Sequence, residues 1–213
     1  RGGFMQDYNT IVMFATASIL LALAPGPDNL FVLTQSMLFG RSAGFKITLG
    51  LCTGLIFHTS VVSLGVAAIF QTSVIAFNTL KYIGAAYLVY LAIGAFRASS
   101  SKLEVKESIP LSSWNLYRRG IIMNITNPKV SIFFMAFLPQ FTDPSKGPIT
   151  MQMFILGFIF ILATILIFGL VSQLAGAAGR ILSKSDKVDR ILNLLAGSIF
   201  AGLAVKLALT QQR

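Results

Sequence analysis

Long apolar stretches separated by short polar gaps dominate this chain. No Lys, Arg, Asp or Glu occurs from Tyr8 to Pro27, from Ile47 to Leu80 or from Gly147 to Gly179. A helix needs about 20 apolar residues to cross the hydrocarbon core of a bilayer, so each stretch can hold at least one crossing. The stretches are continuous rather than alternating in polarity, which favours helices over membrane strands.

The pattern predicts an all-α membrane protein with six transmembrane helices. The whole chain, 1–213, is predicted to form a single transmembrane domain. Its halves are roughly 5–98 and 115–213, joined by a cytoplasmic linker at 99–114, and residues 1–4 are expected to be a cloning remnant. The predicted spans are 8–39, 45–70, 74–96, 117–139, 149–174 and 190–210.

Composition and charge support this interpretation. Charged residues make up 11% of the chain and the mean hydropathy is +0.77, whereas soluble domains carry about 25% charged residues. The net charge of +10 could indicate nucleic-acid binding, but the basic residues lie in the gaps between apolar runs, so no nucleic-acid partner is expected. Eleven of the 17 lysines and arginines fall in the first, third and fifth gaps. The positive-inside rule then places those gaps in the cytoplasm and both termini in the periplasm.

Two of the six spans are interrupted by proline near their middles. The first span contains Pro25-Gly26-Pro27, and the fourth contains Asn127-Pro128-Lys129. These positions are equivalent in two halves of three spans, and an odd number of spans makes the second half inverted. Interrupted helices at matching positions of inverted halves are a pointer to the binding site of a transporter.

Two formal charges fall near the middle of the membrane, and they lie at the two interruptions. Asp28 and Lys129 each cost at least ~2.5–3.5 kcal/mol at the bilayer centre, so such residues face the protein interior and often mark a pathway. They could bind the two ends of a zwitterion or form a structural ion pair. The predicted substrate-binding residues are Pro25, Gly26, Pro27, Asp28, Asn29, Asn124, Asn127, Pro128 and Lys129.

Two residues are candidates for proton coupling. Burial opposes the charged form of Asp28, while Lys129 and an incoming ammonium group favour it. Asp28 could therefore release a proton as substrate binds. His58, the only histidine, could relay protons within the second span, or it could instead hydrogen-bond a neighbouring helix.

Other classes of function find less support in the sequence. An ion or metal transporter of related fold is the alternative, but metal binding calls for clustered ligands, and the spans offer one histidine, one cysteine and one aspartate. An enzyme is not expected, because the chain lacks a Ser-His-Asp set, paired carboxylates and nucleotide-binding fingerprints. No cofactor or metal is predicted.

Several motifs resemble those of the lysine exporter / homoserine–threonine resistance (LysE/RhtB) family, and the resemblance covers nearly the whole chain. The two signature elements occur in the expected spans and order. The matching segments are Ala24-Pro25-Gly26-Pro27-Asp28-Asn29, Gly40-Arg41-Ser42-Ala43-Gly44, Asn127-Pro128-Lys129 and Phe137-Leu138-Pro139-Gln140-Phe141.

The resemblance implies a secondary exporter of amino acids in the inner membrane of a bacterial cell. It implies proton antiport driven by the proton-motive force, and a homodimer embedded in the lipid bilayer. The branch that exports neutral amino acids, such as threonine, homoserine or leucine, is closer than the lysine/arginine branch. A cationic substrate should prefer additional acid within the membrane, and Asp28 is the only acid there.

Overall fold

The computed structural model describes residues 8–24, 26–66, 74–97, 109–182 and 186–209. The predicted remnant at 1–4, most of the linker at 99–114 and Pro25 lie outside these residues.

The described part is all-α, and no strand occurs in it. Its helices are α1 (Tyr8–Leu23), α2 (Pro27–Phe39), α3 (Arg41–Val61), α4 (Val74–Arg97), α5 (Ser113–Ile125), α6 (Pro128–Phe137), α7 (Ile149–Leu182) and α8 (Asp186–Leu209). A π-helical turn at Val62–Val66 continues α3, and 3₁₀ turns at Leu138–Phe141 and Pro144–Lys146 precede α7.

Both predicted interruptions are bends between two helices. The axes of α1 and α2 meet at 61°, and those of α5 and α6 meet at 52°. Among the described residues, two helices, at Arg41–Gly65 and Ile149–Ala175, are each long and apolar enough to cross a membrane, and each bent pair meets the same criterion as one span. A shorter apolar helix lies at Asn193–Leu209.

The local sequence explains where several helices begin. Pro27 and Pro128 occupy the first turns of α2 and α6, where the missing N–H costs nothing and the fixed φ suits a helix. The Ser112 side chain accepts a hydrogen bond from the Asn115 backbone N–H at 3.2 Å and so caps α5. Gly40 separates α2 from α3 with φ +83°, a conformation that residues with a Cβ rarely adopt.

Several helices extend beyond the predicted spans. α3 begins at Arg41 rather than at residue 45, and α5 begins at Ser113 rather than at 117. α7 continues to Leu182, eight residues past the predicted end of its span. Apolar character marks the part of a helix that lies in hydrocarbon, whereas the hydrogen-bonded helix can continue into the interface.

The helices pack mainly across the two halves of the chain rather than within them. α3 packs most extensively against α5, and α4 packs against α8. Glycines permit the first of these contacts, because a Cβ on Gly54 would lie 2.6 Å from the Asn124 side chain and a Cβ on Gly50 would lie 3.0 Å from the backbone of Gly120. Gly50 and Gly54 therefore bring two helices of the same chain together.

The distribution of polarity is that of a membrane protein, with large apolar side chains exposed on the outside and several polar side chains buried within the apolar core. One side of α7 exposes a row of large apolar residues at every fourth position, and a soluble monomer rarely exposes so large an apolar surface. The members of this row are Phe154, Phe158, Leu162, Leu166, Leu170 and Leu174. The buried set includes Asp28, Asn124, Asn127, Lys129 and Thr164.

Candidate functional site

The first bend leaves backbone carbonyls that side chains then satisfy. α1 ends at Leu23, and the extended Gly26 precedes α2. The Asn29 side-chain amide donates to the Ala22 carbonyl at 2.7 Å. This hydrogen bond connects the first turn of α2 to the last turn of α1. Lipid could not satisfy this carbonyl, so the hydrogen bond makes the bend tolerable at membrane depth.

The second bend is held by its own asparagines. The Asn127 side-chain oxygen accepts from the Lys129 backbone N–H at 3.0 Å and caps α6. Pro128 cannot donate to the Asn124 carbonyl, which accepts from the Asn127 backbone N–H at 3.1 Å and also lies 3.1 Å from His58 Nε2. His58 thus ties α3 to the second bend.

Two hydrogen bonds join one bend directly to the other. The Asn127 amide donates to Asp28 Oδ2 at 2.8 Å, and Lys129 Nζ donates to the Ala24 carbonyl at 3.1 Å. The ammonium therefore lies at the C-terminal, negative end of α1, and the carboxylate lies in the first turn of α2. Gly26 permits the close approach of the Lys129 ammonium, since a Cβ on Gly26 would lie 3.0 Å from Lys129 Nζ.

The acid and the base are buried together without direct contact. Asp28 is 4% exposed and Lys129 is 8% exposed, and the two interact electrostatically. Within the described residues no ion-pair contact of 4.0 Å or less joins them. Each charge instead contacts a polar group of the opposite bend, so neither is neutralised by the other at close range.

A small cavity lies between the bends. Its volume is about 20 Å³, enough for one water molecule and too small for an amino acid. Its lining combines Asp28, Asn124, Lys129 and Thr164 with apolar residues: Leu21, Ala22, Leu55, Val130, Phe160 and Phe168. Three of the polar side chains present an oxygen without a hydrogen-bond partner, namely Asp28 Oδ1, Asn124 Oδ1 and Thr164 Oγ1. Buried polar atoms are normally satisfied, so these three mark a place where a polar ligand would find partners.

The residues predicted from the sequence divide into two groups. Asp28, Asn124 and Lys129 line the cavity. Gly26, Pro27, Asn29, Asn127 and Pro128 build the bends that hold those three in place. His58 lies behind Asn124 and outside the cavity lining, and Pro25 lies outside the described residues.

α7 also lines the cavity, and none of its residues was predicted from the sequence. Phe160, Thr164 and Phe168 are four residues apart, so they share one face of the helix and line the cavity together. Thr164 is a lone polar residue in the middle of the apolar run, which was the available signal. In the part of the chain that the structure describes, no group of three or more His, Cys, Asp or Glu side chains could hold a metal ion.

The apolar exterior, the bent helix pairs and the buried polar cavity define an integral membrane protein. A family model, LysE type translocator, matches residues 19–211. The chain belongs to this family.

Individual relatives cover nearly the same length. The chain is 32% identical over 204 residues to an uncharacterized membrane protein of Vibrio cholerae, covering 95% of this chain and 98% of that protein. It is 34% identical to the homoserine/homoserine lactone efflux protein of Salmonella typhimurium, covering 92% of this chain and 94% of that protein. It is 27% identical to the leucine efflux protein of the same organism, covering 93% of this chain and 94% of that protein. No solved structure matches the chain.

Proposed function

We propose that this chain is a secondary active exporter that carries neutral amino acids out of the bacterial cytoplasm by proton antiport. The observation that carries the proposal is the direct hydrogen bonding between the two bends, which brings one buried acid and one buried base to the same cavity. The names of the homoserine and leucine efflux relatives support an amino-acid substrate.

The two charges suit the two ends of a zwitterion. The substrate ammonium binds Asp28, whose Oδ1 has no partner, and Asn124 Oδ1 accepts a second hydrogen bond from it. The substrate carboxylate binds Lys129, which exchanges the Ala24 carbonyl for a stronger, charge-assisted partner. An amino acid needs more than 20 Å³, so the bends separate to admit it.

Proton coupling follows from the environment of Asp28. In the buried cavity, Lys129 and one hydrogen bond from Asn127 favour the carboxylate form of Asp28. A bound ammonium adds a direct counter-charge and favours release of the proton, whereas departure of the substrate favours its return. Asp28 therefore exchanges its proton for the substrate ammonium. His58 is the alternative proton carrier.

The proposed architecture is six spans in two inverted halves. In support, α2 and α6 begin alike, with a proline in the first position and a charged residue in the second, Asp28 in one and Lys129 in the other. The basic gaps support a periplasmic location for both termini, and we propose that the protein lies in the inner membrane. We further propose that the exporter works as a homodimer.

The test is efflux from proteoliposomes loaded with labelled homoserine or leucine, with and without a pH gradient. Wild type should release the amino acid faster when the gradient is imposed. Asp28→Asn should insert and fold, yet lose the response to the gradient, whereas Asp143→Asn, which removes an acid in the loop before α7, should keep it. Normal coupling in Asp28→Asn would refute the role of Asp28, and the same assay on His58→Gln would follow. No release of any amino acid by wild type would refute the function.

A further inference from the structure

The cavity contains one polar side chain that the zwitterion does not require. Asp28 and Lys129 are matched to the ammonium and the carboxylate, so no charge of the lining is left for a charged substrate side chain. The rest of the lining is apolar except for Asn124 and Thr164. Thr164 lies on α7, which forms neither bend, and it lines the cavity from that helix.

Thr164 differs from most of the other buried hydroxyl residues of the described helices; Ser63, in the π-helical turn after α3, is the other one without a partner. Serine and threonine inside a helix commonly donate to the carbonyl four residues earlier. Ser172 does so to Phe168 at 2.8 Å, and Thr59 does so to Leu55 at 2.8 Å. Thr164 is 2% exposed, yet its hydroxyl has no partner, although it lies in the same helix as Ser172.

The neighbours of Thr164 leave its hydroxyl as the one polar feature of that wall. Phe160 and Phe168 lie one turn to either side on the same face of α7 and line the same cavity. Phe160 is fixed by Phe133 and Phe134, with ring centroids 5.5 Å and 5.1 Å away. A substrate side chain held between these rings meets apolar surface everywhere except at the Thr164 hydroxyl, which can both donate and accept.

We propose that Thr164 is a specificity-determining residue, which hydrogen-bonds the side chain of the substrate and favours amino acids with a hydroxyl on that side chain. The inference rests on the proposed function, because it assigns a substrate subsite within the same cavity. A site with an unpaired buried hydroxyl loses affinity for an analogue that cannot pair with it, whereas an apolar wall discriminates poorly between isosteres.

The experiment compares two substrates of the same shape. Homoserine carries a terminal hydroxyl where norvaline carries a methyl group. Uptake or efflux of each is measured in proteoliposomes for wild type, Thr164→Val, Thr164→Ser and Thr16→Val. Thr16 is an exposed threonine of α1 that donates to its own helix, so its variant is the matched control.

In Thr164→Val the homoserine-to-norvaline ratio should fall about 3- to 10-fold, the range expected for one neutral hydrogen bond. Thr164→Ser should restore most of the ratio, and Thr16→Val should leave it unchanged. Thr164→Val should also unfold at the same or a higher temperature than wild type, because it removes a buried hydroxyl without a partner. A lower unfolding temperature would mean that the hydroxyl is structural and would overturn the proposal.

Failure of the Thr164 role can be distinguished from failure of the proposed export function. If wild type transports both substrates and Thr164→Val keeps their ratio, the specificity role is wrong while the proposed function stands. Equal losses for both substrates would place Thr164 at the ammonium or carboxylate and also overturn the specificity role. If wild type transports neither substrate nor any other amino acid, the proposed function fails and this inference fails with it.

Discussion

Asn127 is one of the two side chains that join the bends, so its replacement tests that connection directly. It caps α6 through the Lys129 N–H and donates to Asp28 Oδ2 at 2.8 Å. Loss of a cap costs about 1 kcal/mol, and loss of a hydrogen bond to a charged group costs about 2 kcal/mol. Asn127→Ala removes both. Asn127→Ser retains a residue that caps well but is too short to reach Asp28.

The expected order of thermal stability is wild type, then Asn127→Ser, then Asn127→Ala. At about 2–4 °C per kcal/mol for a chain of this size, the two variants should unfold about 4–8 °C and about 6–12 °C below wild type. Cys52 is the only cysteine and is buried, so a thiol-reactive fluorescent dye reports its exposure as the detergent-solubilised protein is heated.

Asn115→Ala, at the exposed start of α5, is the control and should unfold at the same temperature as wild type. The reasoning is refuted if Asn127→Ser is as stable as wild type, because the bond between the bends would then contribute nothing. It is also refuted if Asn127→Ser is no more stable than Asn127→Ala, because the cap would then be irrelevant.

Three further predictions concern packing, protonation and topology. Gly54→Ala should lower the unfolding temperature, because its Cβ would meet the Asn124 side chain at 2.6 Å, whereas Gly94→Ala, with open space around it, should not. His58→Gln should keep the response of efflux to a pH gradient, since glutamine can still donate to the Asn124 carbonyl; loss of the response would move the proton role to His58. A reporter enzyme fused after Arg213 should be active in the periplasm, and activity confined to the cytoplasm would contradict the proposed topology.

The two bends could be predicted from the sequence because proline acts locally. It removes one N–H and clashes with the carbonyl four residues back, wherever the helix lies in the fold. An isolated charge in an apolar run is equally local evidence, since only the protein interior can accept Asp28 or Lys129 at that depth. Bends at these positions and the burial of both charges are therefore confirmed.

The connection between the bends could not be predicted. The bonds from Asn127 to Asp28 and from Lys129 to Ala24 cross 99 and 105 residues of sequence, so they depend on how all the helices pack. A close ion pair was one of the open interpretations, and the structure instead gives each charge its own polar partner. Thr164 was missed because one threonine in an apolar helix resembles many that simply bond to their own backbone.

We propose that Asp28 and Lys129 bind the two ends of one zwitterionic amino acid. The most direct test is equilibrium binding of homoserine and of 4-hydroxybutyrate, its analogue without the ammonium group, to purified wild type and Asp28→Asn. Wild type should bind homoserine far more tightly than the analogue. In Asp28→Asn, homoserine binding should weaken about 10- to 100-fold, as expected for a lost charged hydrogen bond, while binding of the analogue should not weaken. Equal weakening of both ligands, or of neither, would contradict the claim.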